Sequence, residues 1–315
     1  MSRTVPLLDL STYLSGSIKE KHQFIQDFGN AFHEIGFVRI NGHGLSKSLI
    51  QDFYTVSNDF FKLKTKLKKK YEIPGLGGQR GYTSFGKEHA KDADVGDLKE
   101  FFQIGRDPDK NDEDTKNNPV NIEVTELTHF LALGKKLYAA FEKIGGHLLE
   151  AIAEFLNLPK NYFTHAVHNG NSILRSIYYP PITKEPKTAI RAEQHEDINL
   201  ITLLVGASAG GLQLLNMEGK WQSIHPQEDE IVINVGDMLQ RLTNNYLRST
   251  THRVINPPKQ EWHTSRLSIP FFLHPKSNMR LDCLAAYVSK DKPAQYENSS
   301  AGEYLTERLR EIGLL

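Results

Sequence analysis

The 315-residue chain carries 38 basic and 38 acidic side chains, so no global field draws it to nucleic acid or to an anionic membrane. A single cysteine, Cys283, excludes an internal disulfide, and no apolar run approaches the roughly 18 to 20 residues of a membrane helix. The opening MSRTVPLLDL has neither the apolar core nor the cleavage site of a signal peptide, and no lipidation motif shows at either end. The expectation is a cytoplasmic protein that meets a small molecule, with no nucleic-acid or membrane partner; composition leaves the oligomeric state open.

In chain order, VPLLDL reads as a strand, the amphipathic stretch from Ser17 to Ile35 as a helix, FVRI as a strand and the stretch from Ser46 as a second helix. Lys62, Lys64, Lys66, Lys68, Lys69 and Lys70 end that helix, where cations favour the dipole and solvent, so they read as a solvated helix end rather than a polyanion site. Residues 107–121 (DPDKNDEDTKNNPVN) are polar and turn-rich and form the clearest internal boundary. Beyond them Leu127, Phe130, Leu131, Leu137, Phe141, Ile144, Leu148, Ile152 and Phe155 recur at helical spacing, predicting a long amphipathic helix that ends near Pro159 and needs a sheet to cover. From Ser172 to His274 the pattern changes to short alternating strands: ILRSIYY, INLITLLV, GLQLLN, EIVINVG, STTHRVI and RLSIPFFL. Such a series predicts a sandwich or jelly-roll barrel. The mixed apolar and charged stretch from Gly302 to Leu315 predicts a C-terminal helix able to close over the barrel mouth as a lid. The reading is a mixed α/β chain with a mainly β core: an N-terminal region over 1–121, a long helix and connection over 122–171, a jelly-roll core over 172–275 and a helical segment over 276–315.

Chemistry concentrates in the strand-rich part. His195 and Asp197 lie two apart in QHEDINLITLL, and on an extended strand such residues point to one face. In STTHRVI the same alternation turns His252 inward and Arg253 away. Two imidazoles and one carboxylate leave open positions on an octahedral metal, the pattern of non-haem iron(II) oxygenases; zinc fits less well, since the helical HExxH arrangement is absent. Arg266 and Ser268 share a strand face and pair a guanidinium fork with a hydroxyl, suited to a diacid ligand. Tyr179 shares a face with Arg175 and Ile177 and adds a further donor, although a one-residue slip would put Tyr178 there instead. His43, His225, His263 and His274 lack partners at ligand spacing and read as turn or surface residues, and Cys283 as a small packed hydrophobe.

In combination HEDINLIT, TTHRVI and RLSIPFF, with YYPP upstream, resemble the isopenicillin N synthase-like branch of the 2-oxoglutarate-dependent dioxygenases, and VPLLDL, GFVRINGHG and RGYTSFG resemble that branch's N-terminal region. The resemblance implies a double-stranded β-helix in which His195, Asp197 and His252 bind Fe(II), Arg266, Ser268 and Tyr179 hold the distal carboxylate of 2-oxoglutarate, and O2 takes the remaining position. It implies an oxidoreductase that hydroxylates an unidentified small molecule with release of succinate and CO2; desaturation, ring closure and fragmentation stay open. Arg80, Tyr82 and Glu100, in segments similar to those flanking the branch's pocket, and Arg175 and Phe272 are candidate substrate contacts. One alternative is an oxidase like isopenicillin N synthase itself, with Arg266, Ser268 and Tyr179 on a substrate carboxylate and no oxo-acid consumed. Such enzymes carry a glutamine near the C terminus that can ligate resting iron, whereas this chain ends EIGLL. The other alternative is a non-catalytic jelly-roll binding protein, which a lost or outward-facing ligand would indicate.

Overall fold

The computed structural model describes residues 4–90, 95–116 and 118–315. The N-terminal part contains β1 (Leu7–Asp9), α1 (Leu10–Ser15), α2 (Ile18–Glu34), β2 (Phe37–Asn41), α3 (Lys47–Lys62), α4 (Thr65–Lys68), β3 (Gly81–Thr83) and β4 (Glu100–Gly105). The polar loop at 107–121, of which Asn117 lies outside the described residues, leads to α5 (Phe130–Phe155) and α6 (Tyr162–Val167). Then follow β5 (Ile173–Tyr179), β6 (Ala192–His195), β7 (Ile201–Val205), β8 (Leu212–Leu215), β9 (Trp221–Ser223), β10 (Ile231–Val235), α7 (Asp237–Leu242), β11 (His252–Val254), β12 (Arg266–Leu273) and α8 (Ala301–Glu311).

Two sheets form the jelly roll. The larger runs β1-β2-β10-β7-β12-β5-β4-β3 and the smaller β6-β11-β8-β9. Strands from before the 107–121 loop flank both sides of the larger sheet, so the N-terminal region extends the core sheet. Within the core β12 lies between β5 and β7, both antiparallel to it, and pairs Arg266 with Tyr179 and Phe271 with Leu203.

Local chemistry sets the element ends. Ser17 and Glu20 form a reciprocal capping box at the start of α2, satisfying amide donors that the first turn leaves free. At its other end Gly36 takes φ +76°, and a Cβ there would lie 2.3 Å from the Arg248 carbonyl, so both conformation and close approach require glycine. The approach matters because this segment leads into β2 and lies against the run-up to β11; Thr250 Oγ1 donates to the Ile35 carbonyl at 2.7 Å.

Helix α5 buries Leu137, Phe141, Ile144, Leu148 and Ile152, as the helical period predicts, and covers the outer face of the larger sheet. Leu127 falls in a turn before the helix rather than inside it. Phe141 stacks on Phe271 with ring centroids 5.5 Å apart, and Tyr138 meets the same ring edge-on at 5.0 Å. Alternation along β12 therefore sends Leu267, Ile269, Phe271 and Leu273 to the helical layer and Arg266, Ser268, Pro270 and Phe272 to the space between the sheets. Among the described residues no helix is long and apolar enough to cross a membrane.

Phe141 belongs to the layer that faces away from the inter-sheet cavity. Phe141→Ala is expected to lower unfolding free energy by about 3–5 kcal/mol, read as a reduced urea midpoint; a shift under about 1 kcal/mol would mean that the α5 layer does not hold the sheet.

Candidate metal centre and active-site cavity

Between the sheets lies a cavity of about 840 Å³. His195 and His252 stand directly opposite each other in the β6–β11 ladder, with ring centroids 4.4 Å apart. Asp197 lies beyond the end of β6, in the connection to β7, so the expected single extended strand through both residues is interrupted. Its Oδ1 is nonetheless 3.9 Å from His195 Nε2 and 3.8 Å from His252 Nε2. One ligand atom from each of the three residues falls within 4.8 Å of the others.

Every other polar atom of this triad is tied outward. His195 Nδ1 donates to the Glu193 carbonyl at 2.6 Å and His252 Nδ1 to the Thr250 carbonyl at 3.1 Å, which fixes the tautomers and leaves each Nε2 lone pair toward the centre. Asp197 Oδ2 accepts from Thr202 Oγ1 at 2.6 Å and from Asn234 Nδ2 at 2.8 Å, leaving Oδ1 free. Phe37 meets the His252 ring edge-on at 5.5 Å. Burial, reinforced by neighbouring His252, pushes His195 below the usual imidazole range, so it is neutral near pH 7. Burial alone would raise the Asp197 carboxyl, but the two imidazoles and the Asn234 and Thr202 hydrogen bonds hold it below its usual value. Two imidazole Nε2 atoms and one carboxylate oxygen are thus presented together, a donor set that suits a divalent metal.

Across the cavity Arg266 is 2% exposed. Its Nε donates to the Ala209 carbonyl and its Nη1 to Ser268 Oγ, each at 3.1 Å, and its guanidinium lies 4.9 Å from the Tyr179 ring centroid. Tyr179 lines the cavity, whereas Tyr178 stacks on Phe61 of α3 at 5.1 Å, so the register is the one in which Tyr179 faces inward. Arg175 and Phe272 also line the cavity, and the Arg175 guanidinium lies 4.1 Å from the Phe101 ring and 5.1 Å from the Phe272 ring.

Three of the expected substrate contacts lie off the cavity wall. Glu100 is buried, accepting from Lys68 Nζ at 2.6 Å and from the Tyr82 hydroxyl, and neither Glu100 nor Tyr82 lines the cavity. Their strands alternate, and these side chains take the face turned toward α3 and α4, where Lys68 and Phe60 meet them. Arg80 packs over Gly105 and donates to the carbonyls of Gln79 and Arg106, holding a loop rather than facing the site. Lys68 itself departs from the solvated reading of the lysine run; Lys62, Lys64, Lys66, Lys69 and Lys70 are exposed.

Other wall residues lay outside the sequence reading. Asn234 is a polar residue inside the apolar run EIVINVG, a signal that an inward partner awaits it. His274, read as a surface residue, is buried and lines the cavity; burial lowers it to about 4. The parity that turns Arg266 and Ser268 inward reaches it eight residues on. Glu88, Lys99, Asp97 and Arg175 form a buried charge chain: Arg175 Nη1 meets Glu88 at 3.1 Å, and Lys99 Nζ meets both Glu88 and Asp97 at 2.7 Å. Burial would raise Glu88, but Arg175 and Lys99 hold it at about 2, so this carboxyl is ionised at neutral pH. Leu305, Arg308, Leu309 and Ile312, on and just beyond α8, complete the wall.

Comparison with known proteins agrees with this geometry. Residues 5–124 match the model of the non-haem dioxygenase in morphine synthesis N-terminal family, and residues 170–275 that of the 2OG-Fe(II) oxygenase superfamily. A solved 2OG-Fe(II) oxygenase family protein from Caulobacter crescentus is 40% identical, with a TM-score of 0.87 over 99% of this chain and 100% of that one. A full-length Neurospora crassa protein, solved in complex with alpha-KG (2-oxoglutarate) and thymine, is 28% identical, with a TM-score of 0.86 over 97% and 96% of the two chains. The proline hydroxylase buaE of Petromyces alliaceus is 30% identical over 97% of this chain and 98% of its own length.

The buried Lys68–Glu100 pair gives a separable test of this placement. Lys68→Ala, which strands Glu100 in the interior, is expected to cost about 3–5 kcal/mol of stability, measured by chemical unfolding. A variant as stable as the parent would show that Glu100 has water or another cation within reach.

Proposed function

Because the chain belongs to the 2OG-Fe(II) oxygenase superfamily, it is an Fe(II)- and 2-oxoglutarate-dependent oxygenase of a small molecule, and we propose that His195, Asp197 and His252 hold its iron. The observation that carries this assignment is the convergence of two Nε2 atoms and one carboxylate oxygen within 4.8 Å while their remaining polar atoms are tied to the surrounding fold. Bound iron supplies the activation of dioxygen, coupled to oxidation of 2-oxoglutarate to succinate and CO2.

The protein's own contribution is placement and exclusion of water. Arg266 offers its fork to the distal carboxylate of 2-oxoglutarate, with the Ser268 hydroxyl beside it and Tyr179 beneath, all within a buried wall. The Ala209 carbonyl holds the Arg266 Nε, so the fork is oriented before the ligand arrives. Arg175 and Phe272 are the substrate contacts best supported by position, since both face the cavity. Helix α8 supplies a further wall and acts as the lid, with Leu305 and Leu309 as its apolar face. The intact triad argues against a non-catalytic binding module, and relatives named as 2-oxoglutarate-dependent argue against an oxidase that consumes no oxo-acid. Lack of a global charge and a single cysteine support a cytoplasmic enzyme that does not engage nucleic acid.

Anaerobic titration of 2-oxoglutarate into Fe(II)-loaded protein, followed by the visible charge-transfer band of the chelate, tests the assignment. His252→Ala is expected to abolish the band, Arg266→Ala to weaken 2-oxoglutarate binding roughly 10- to 100-fold, and Tyr179→Phe to weaken it by about tenfold or less. An unchanged dissociation constant in Arg266→Ala would remove that residue from the co-substrate site.

A further inference from the structure

The smaller sheet carries an irregularity beside the metal centre. His195 pairs with His252 and Ala192 with Val254, so two residues of β6, Glu193 and Gln194, oppose the single Arg253 of β11. Such a bulge removes the extra residue from the ladder and re-aims neighbouring side chains. Here the displaced amides find side-chain acceptors: Gln194 N donates to Glu193 Oε1 and Glu193 N donates to Asp97 Oδ1, each at 2.9 Å. The carbonyl of that same Glu193 accepts the hydrogen bond from His195 Nδ1 at 2.6 Å.

We propose that Asp97 is a positioning residue for the metal ligand His195, acting through the bulged backbone of Glu193. The inference rests on the iron site assigned above, and extends it to a carboxylate that is not itself a ligand. Both Asp97 oxygens are already engaged, Oδ1 by the Glu193 amide and Oδ2 by Lys99 Nζ at 2.7 Å. Lys99 is anchored in turn by Glu88, and Glu88 by Arg175. Asp97, Lys99 and Glu88 are 4%, 7% and 7% exposed, so water does not replace a lost contact cheaply. A charge-assisted bond to an unpaired strand amide is short and directional, and it fixes the residue whose carbonyl aims the imidazole. The segment just before β4 thereby reaches across to the smaller sheet, where the Leu98 amide also donates to the Ile190 carbonyl at 3.0 Å.

Co(II) titration of the metal-free protein, followed by its visible ligand-field bands, tests this without turnover. Asp97→Ala is expected to weaken Co(II) binding roughly 10- to 100-fold and to shift the bands. Asp97→Asn keeps an oxygen for the Glu193 amide and loses only the charge, so it is expected to weaken binding several-fold and less than the alanine. His252→Ala runs alongside and is expected to lose the high-affinity site. Wild-type affinity and bands in both Asp97 variants, with His252→Ala defective, would overturn the positioning role; wild-type binding by His252→Ala would overturn the site assignment itself. Should Asp97→Ala not fold, the isosteric Asp97→Asn decides: unchanged affinity overturns the proposal.

Discussion

The arrangement depends on one constraint: β12 is buried on both faces, and its two faces meet different surroundings. Toward α5 the strand presents Leu267, Ile269, Phe271 and Leu273, and toward the smaller sheet Arg266, Ser268 and Phe272. A shift by one residue would drive a guanidinium into the aromatic layer around Phe141 and expose four apolar side chains to a polar cavity. Pairing of Arg266 with Tyr179 and of Phe271 with both Leu174 and Leu203 locks that register from both neighbours. The packing that stabilises the sheet thus also sets the distance from Arg266 to the metal ligands.

Buried charge is handled by closed pairing. Arg175, Glu88, Lys99 and Asp97 alternate in sign along a chain of contacts, and the last of them ends on a backbone amide. An isolated member would be costly in this interior, whereas in the closed chain each side chain meets an opposite partner at the cavity wall. Arg266 has no acidic partner within salt-bridge distance among the described residues; its contacts are the Ala209 carbonyl, the Ser268 hydroxyl and the Tyr179 ring. That contrast distinguishes the two arginines: one is neutralised by the protein, and the other is left for an anionic ligand.

Much of the core was legible because period-two alternation and helical spacing are strong local signals. ILRSIYY became β5 over the same residues, RLSIPFFL became β12, and the long apolar repeat became α5. The triad was legible as a combination of spacings, although Asp197 reaches its place from a connection rather than from the strand assumed for it. Less legible were contacts set by tertiary neighbours. Lys68 sits in a run that looks uniformly solvated, and only the approach of α4 to β4 shows that Glu100 requires it. Arg80, Tyr82 and Glu100 lie near the site in sequence pattern yet face the other side of their strands or loops, a parity that these short segments do not reveal. The bulge at Glu193 is likewise a long-range feature, since its acceptor Asp97 lies far upstream.

The most direct test of the central claim is an anaerobic crystal structure with Fe(II) and 2-oxoglutarate bound. The account predicts iron ligated by Nε2 of His195, Nε2 of His252 and Oδ1 of Asp197, with the distal carboxylate of 2-oxoglutarate on Arg266, Ser268 and Tyr179. Iron bound elsewhere, or the distal carboxylate seated on Arg175 in place of Glu88, would contradict it.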